Sequence, residues 1–133
     1  MRVTLDSSVL IAAYVARAGV CAELLEDILR RHELILSTHI LEEMHRKLSQ
    51  KLLFPPRLLE AVLSSLSSSA TLVTPADLLV DACRDPSDIP VLGTAVAGDA
   101  DFLVSVDNDL LDLRRYGTVD IIRPGEFWNR VTR

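Results

Sequence analysis

The sequence predicts an α/β fold, a three-layer α/β/α sandwich on a mostly parallel sheet of roughly five strands. Two observations carry that expectation. Short β-prone runs alternate along the chain with longer segments of helical apolar spacing. The 133 residues contain no repeat, linker or low-complexity tract, so they fit one domain able to bury a core.

The first strand is Arg2–Leu5, ending at Asp6. A helix over Ser7–Ala16 follows, its small and apolar residues behind a serine-rich start. Gly19 interrupts, and Leu24, Leu25, Ile28 and Leu29 give Val20–Arg31 the spacing of an amphipathic helix. Residues 34–36 form a second strand. Ser37 or Thr38 caps a helix whose stripe runs through Ile40, Leu41, Met44, Leu48 and Leu52, with Glu42 and Glu43 on its flanks. Pro55 and Pro56 break it, and a helix over 57–66 completes a helical hairpin, after which the serine-rich run to Ser69 reads as a loop. Residues 70–73 are a third strand. Asp85-Pro86-Ser87-Asp88 is a helix start followed by a helix over 91–97 that Gly98 closes. Residues 102–106 are a fourth strand ending at Asp107, with a short helix running on to Arg114. Val119–Ile122 is a fifth strand, and Pro124 opens a terminal helix containing Phe127 and Trp128.

Hydrophobic residues make up 49% of the chain, yet no apolar run approaches the roughly 20 residues that span a bilayer. A carboxylate at position 6 excludes a signal peptide's apolar segment. The two cysteines, Cys21 and Cys83, read as free thiols. The expectation is a soluble, cytoplasmic protein with no membrane partner. A net charge of −5 argues against a nucleic-acid binder held by its overall field. Carboxylates gathered around a metal, however, are cancelled once the metal binds. Lys47 and Lys51 are the only lysines, against twelve arginines; Arg17, Arg46, Lys47, Lys51 and Arg114 are candidates for phosphate contacts. His32, His39 and His45 lack a metal-ligand spacing and read as surface residues.

The chemistry lies in where the carboxylates fall. In an open parallel sheet, sites form beyond the carboxyl ends of the strands, near the point where strand order reverses. Asp6 and Asp107 each follow a strand directly, so both project from that edge. Asp88 opens a helix that begins at the same edge, where Asp85 and Ser87 compete with it as the cap. One of Glu42 and Glu43 supplies a fourth acid; the stripe does not choose between them. Mg²⁺ and Mn²⁺ prefer such hard oxygen ligands, whereas bare clustered carboxylates repel one another and take up protons. An acidic cluster without basic partners therefore calls for a cation.

These residues, in this order, resemble the PIN-domain (PilT N-terminal) nucleases, particularly the VapC-like toxins of toxin–antitoxin pairs. Val3-Thr4-Leu5-Asp6-Ser7-Ser8-Val9-Leu10-Ile11 is similar to the family's opening strand and first acid. Leu41-Glu42-Glu43-Met44 is similar to its second acidic helix, in which the second Glu matches, here Glu43. Arg84-Asp85-Pro86-Ser87-Asp88 and the apolar helix after it look like the third position. Residues 102–107, with Ser105 two before Asp107, look like the fourth, and residues 121–127 resemble a common ending in one subgroup. The resemblance covers the whole chain. It implies a Mg²⁺- or Mn²⁺-dependent ribonuclease with Asp6, Glu43, Asp88 and Asp107 as catalytic metal ligands. It also implies an RNA substrate, a homodimer and an antitoxin partner. Ser8 departs from the pattern, standing where many members carry Asn. Ser7, Ser8, Asp85, Ser105 and Asp109 are accessory candidates.

Other classes fit less well. A phosphoacceptor receiver domain needs a lysine at a late strand end, and none follows position 51. A haloacid-dehalogenase-like phosphatase needs an Asp where Ser8 stands. No Gly-rich phosphate loop or Gly-x-Ser-x-Gly elbow occurs. A catalytically silent PIN-like binding module stands as the alternative, which a metal titration separates from the enzyme.

Overall fold

The computed structural model describes residues 1–16 and 19–131. Among them lie seven α-helices, a 3₁₀ turn and one six-stranded sheet. In chain order these are β1 (Arg2–Leu5), α1 (Ser7–Ala16), α2 (Val20–Arg31), β2 (Glu33–Leu36), α3 (Thr38–Gln50), α4 (Pro56–Ser69) and β3 (Thr71–Leu72). The 3₁₀ turn Pro86–Asp88 then leads into α5 (Ile89–Ala97), β4 (Phe102–Val104), α6 (Asn108–Leu111), β5 (Arg115–Tyr116), β6 (Val119–Ile122) and α7 (Pro124–Val131). The strand order is β3-β2-β1-β4-β6-β5, and every pairing is parallel except the antiparallel β5–β6 edge.

Successive strand residues point to opposite faces of a sheet. Val3, Thr4 and Leu5 in β1, Leu34, Ile35 and Leu36 in β2, and Phe102, Leu103 and Val104 in β4 are nonetheless all buried. Both faces are therefore covered, which makes three layers. The chain lays down β1, β2 and β3 in one direction and then crosses back, through α5, to set β4 on the other side of β1. The β1–β4 seam is thus the switch point, where α/β sheets open a crevice beyond their carboxyl ends. Leu5 lies opposite Val104 in that seam, so the next residues, Asp6 and Ser105, emerge side by side.

Several sequence expectations change, one of them at a strand end: β4 stops at Val104, so Ser105 and Val106 separate Asp107 from the strand it was expected to follow directly. The helix α4 runs through the serines to Ser69, because Leu59, Val62 and Leu66 keep a continuous buried stripe that outweighs the weak helix propensity of serine. The helix after Asp107 stops at Leu111, and the residues beyond it pair as β5, giving six strands instead of five. A two-residue turn at Gly117 and Thr118 closes that hairpin, and Gly117 takes the positive φ of 59° that such turns require. The histidines are not all at the surface: only His45 is exposed, whereas His32 packs edge-on to Phe127 and His39 is half-buried. Both cysteines are free, and Cys83 is buried. No single helix among the described residues is long and apolar enough to cross a membrane. Arg17 lies outside the described residues.

Residues 73–85 carry no helix or strand and cross α5 at Gly93, where Ala76 donates its N–H to the Gly93 carbonyl at 3.0 Å. A β-carbon at Gly93 would meet the Ala76 carbonyl oxygen at 2.5 Å. Gly93→Ala is expected to lower stability by about 1–3 kcal/mol through overpacking, although alanine is the better helix former by up to ~1 kcal/mol. Gly125→Ala in α7, with nothing within 4 Å, is expected to raise it by about 0.4–1 kcal/mol. Urea unfolding midpoints of the two variants check both signs.

Candidate metal and active site

The seam delivers its first acid directly. Asp6 donates its N–H to the Val104 carbonyl at 3.0 Å, continuing the β1–β4 ladder by one residue. Its buried side chain accepts from the Ser7 N–H at 2.7 Å on one oxygen and from Ser105 Oγ at 2.8 Å on the other. Ser105, fully buried, accepts in turn from the Asp107 N–H at 3.0 Å. One hydroxyl thus ties the ends of β1 and β4 together and fixes Asp107 relative to Asp6.

On the other flank, Ser7 Oγ donates to Glu43 Oε1 at 2.5 Å. Lys47 Nζ donates to that same oxygen and to Ser7 Oγ, each at 3.1 Å. His39 Nε2 is 3.7 Å from the second Glu43 oxygen. His39, Glu43 and Lys47 occupy successive i,i+4 positions on α3, so they share one face of the helix. Glu43 therefore turns toward the seam, whereas Glu42 is exposed.

The helix-start motif shares out its roles. Asp85 does the capping, its side chain accepting from the Ser87 N–H at 3.0 Å and the Ser87 hydroxyl at 2.8 Å. Asp88 stands at the N-cap of α5 without a capping hydrogen bond. Its carboxyl is buried, hydrogen-bonds Asp107, and has one oxygen, Oδ2, with no partner. Asp107 caps α6 with one oxygen, accepting from the Asp109 N–H at 2.9 Å. Asp85, Asp88 and Asp109 each bring a carboxylate oxygen within 4.8 Å of the other two. Arg84 pairs with Asp109 at 3.1 Å and also contacts Asp112, placing a cation on that rim.

The electrostatics follow from burial and crowding. Burial, the proton shared with Asp107, and the charges of Asp107, Asp6 and Asp85 push Asp88 up to about 8. Burial raises Asp6 too, with Glu43 adding to the effect against the opposing Ser105 hydrogen bond. Burial would also raise Glu43, but the hydrogen bonds from Ser7 and Lys47 outweigh it and leave this carboxyl below its ordinary value. Asp85 is held low by its two Ser87 hydrogen bonds. Near neutral pH, Asp88 therefore keeps a proton. An all-oxygen donor set with an orphaned buried carboxylate oxygen fits a hard divalent cation.

Asp6, Ser7, Glu43, Asp88, Ser105 and Asp107 thus form one connected string, joined at the Asp88 end by Asp85 and Asp109. Ser8 stays outside it: its side chain makes no hydrogen bond among the described residues, and Ser7 is the serine whose N–H orients Asp6. The expectation of acids without basic partners is corrected by Lys47, His39 and Arg84. Of these, Lys47 and His39 were detectable from their i,i+4 spacing about Glu43. Arg84 meets Asp109 only through the tertiary fold.

A family model described as PIN domain matches residues 2–109, which span every acid from Asp6 to Asp109. No curated protein sequence matches the chain. Among solved structures, a chain of VapBC2 from Rickettsia felis, bound to a DNA fragment from their promoter, superposes with a TM-score of 0.65 at 14% identity. The match covers 91% of this chain and 97% of that one. At that identity the likeness is one of fold. The family match extends over most of the sequence, and this chain belongs to the PIN domain family.

Proposed function

We propose that the chain is a Mg²⁺- or Mn²⁺-dependent ribonuclease, the VapC-like toxin of a toxin–antitoxin pair acting in the cytoplasm as a single PIN-like domain over residues 1–133. The observation that carries this reading is Asp88, a buried carboxyl with an unpaired oxygen, forced to share a proton with Asp107 at the sheet's switch point. A packed core tolerates such a group poorly unless a cation replaces the proton. Asp6, Glu43, Asp88 and Asp107 are the acids proposed to hold the metal, with Asp85 and Asp109 close enough to Asp88 to complete the set. When bound, the ion neutralises charge on a phosphoryl group and lowers the pKa of water. The protein's own part is positional. Ser105 keeps Asp6 and Asp107 in register, Ser7 and Lys47 keep Glu43 ionised and aimed at the seam, and Asp88 releases its proton as the site fills. An antitoxin partner is part of the same proposal, supported by the fold shared with a VapBC2 chain.

The proposed homodimer finds little free apolar surface on α4. Leu59, Val62 and Leu66 are consumed by the core and Leu63 is half-buried, leaving Leu58 at 45% exposure and, in the preceding turn, Leu53 at 78%. Light scattering is expected to give the mass of a dimer, and Leu53→Lys with Leu58→Glu that of a folded monomer. A monomeric wild-type protein at high micromolar concentration overturns the dimer.

The metal and the proton are linked. Asp88 has a folded pKa of about 8 against its ordinary 3.8, so the native state holds a proton that the unfolded chain has lost between those values. The stability Asp88 contributes is fully present below the lower value and is lost as pH rises through about 8. Asp6 acts in the same direction. Metal-free protein is therefore expected to melt at progressively lower temperature from pH 5.5 to 9, and Asp88→Asn to flatten that slope. Stabilisation by Mg²⁺ or Mn²⁺ should grow over the same range and shrink in Asp88→Asn, as mass action with native-state binding requires. RNA cleavage should stop in chelator and return with metal; undiminished cleavage in excess chelator ends the metal hypothesis.

The two adjacent glutamates give a sharper test. Glu43→Gln removes the acid that Ser7 and Lys47 hold, and should weaken Mn²⁺ binding and slow single-turnover cleavage by about 100-fold or more, because the reacting groups are then misplaced. Glu42→Gln, on the exposed flank, should shift stability by no more than about 0.5 kcal/mol and leave cleavage nearly intact. Equal effects of the two substitutions would remove α3 from the site.

A further inference from the structure

Lys47 and Lys51, the only lysines of the chain, lie one helical turn apart and continue the row of His39 and Glu43. Lys47 spends two of its three N–H donors on Glu43 and Ser7 and keeps its side chain 34% exposed. Lys51, at the C-cap of α3, is exposed and pairs with no acid among the described residues. Both face a groove of about 400 Å³ between α1 and α3, whose other wall is Ile11, Ala12 and Val15, with Ser8 beside the acidic string. Two exposed arginines, by contrast, are committed: Arg84 to Asp109 and Asp112, and Arg130 to Asp120 and Glu126.

We propose that the α1–α3 groove is the subsite for the single-stranded RNA flank leaving the acidic site, with Lys47 and Lys51 as successive phosphate contacts. This rests on the ribonuclease reading given above. A chain of net charge −5 repels RNA at long range, so a strand reaching the carboxylates needs local cations to follow. Lys47 is placed where that need begins: it bonds a site carboxylate and retains a free donor for a phosphate oxygen. Lys51 extends the track by one turn, about 5.4 Å. The aliphatic wall opposite suits ribose and base faces and, apart from Ser8, offers no hydrogen-bonding side chain. Reading along the groove is therefore expected to tolerate any sequence.

The test uses the full chain and a fluorescein-labelled oligouridylate of about 12 nucleotides. Anisotropy in chelator reports binding, and single-turnover cleavage in Mn²⁺ reports the half-saturating protein concentration, each over a range of salt. Lys47→Gln with Lys51→Gln should raise the half-saturating concentration about tenfold and reduce the log–log salt slope by about 1.4, since each phosphate neutralised on a single strand contributes about 0.7. Lys51→Gln alone should act mainly on half-saturation, and Lys51→Arg should recover it. Arg30→Gln, an exposed cation of α2 outside the groove, should leave the slope unchanged. A double variant with the wild-type slope and half-saturation overturns the groove while leaving the ribonuclease reading in place. Lysine-dependent binding by a wild-type protein that cleaves no RNA in Mn²⁺ supports the groove and removes the ribonuclease reading. Loss of both binding and cleavage in the wild type removes both.

Discussion

The pairing of β1 with β4 is the constraint on which the rest of the molecule depends. The two strands are adjacent in space but almost a hundred residues apart in sequence, and their register sets Leu5 against Val104. A slip of one residue would turn every buried side chain of the strand to the opposite face and would separate Asp6 from Ser105. The Asp6 N–H bond to Val104 and the Ser105 hydroxyl bond to Asp6 extend that register past the end of the ladder. A buried hydroxyl that both donates and accepts is a narrow geometric requirement, because it permits only one relation between the Asp6 carboxylate and the Asp107 N–H that it joins. The site is thus a consequence of sheet pairing, and its geometry is as firm as the core beneath it.

Around that seam the chain concentrates negative charge and limits the cost in three ways. Asp88 stays protonated and hydrogen-bonds Asp107. Lys47 and Ser7 hold Glu43 ionised at a distance from the Asp88 end. Arg84 covers Asp109 at the exposed rim, where solvent already screens the pair. The first two devices leave Asp88 protonated and Glu43 ionised under one pH, which is how crowded carboxylates acquire distinct roles. The apo protein carries residual repulsion even so, and a trade of stability against a loaded site is common where function needs unpaired charge.

Delivery of Asp88 shows how local capping serves a distant site. Asp85 satisfies the exposed N–H groups of the 3₁₀ turn through Ser87, so Asp88 is released from capping. Pro86 and Pro90 lack the N–H groups that a helix start would otherwise leave unpaired. The close crossing at Gly93, where residue 76 lies on the α5 backbone, then seats the helix that carries Asp88 to the sheet. Remote backbone packing in this way governs where a carboxyl oxygen sits.

Much of this was legible without coordinates, because it is written in short-range patterns. Strand–helix alternation, the acids directly after Leu5 and Val106, and the helix start at Asp85 all follow from neighbours within a few residues. The boundaries were less so. The serines of 64–69 favour a loop by propensity, and only burial of Leu66 against the core makes them helical. The edge strand Arg115–Tyr116 is too short to show a period of its own and exists because β6 lies beside it. Apolar spacing leaves Glu42 and Glu43 equivalent on α3; Ser7, thirty-six residues away, breaks the tie by bonding one of them. Likewise nothing local distinguishes a capping Asp88 from an orphaned one, or brings Asp109 to Asp85 and Asp88. The sequence by itself determined the alternation of strands and helices and the segments that carry the acids, since those depend on local spacing. Only the tertiary structure decided which oxygens meet, because that depends on register between strands far apart in the chain.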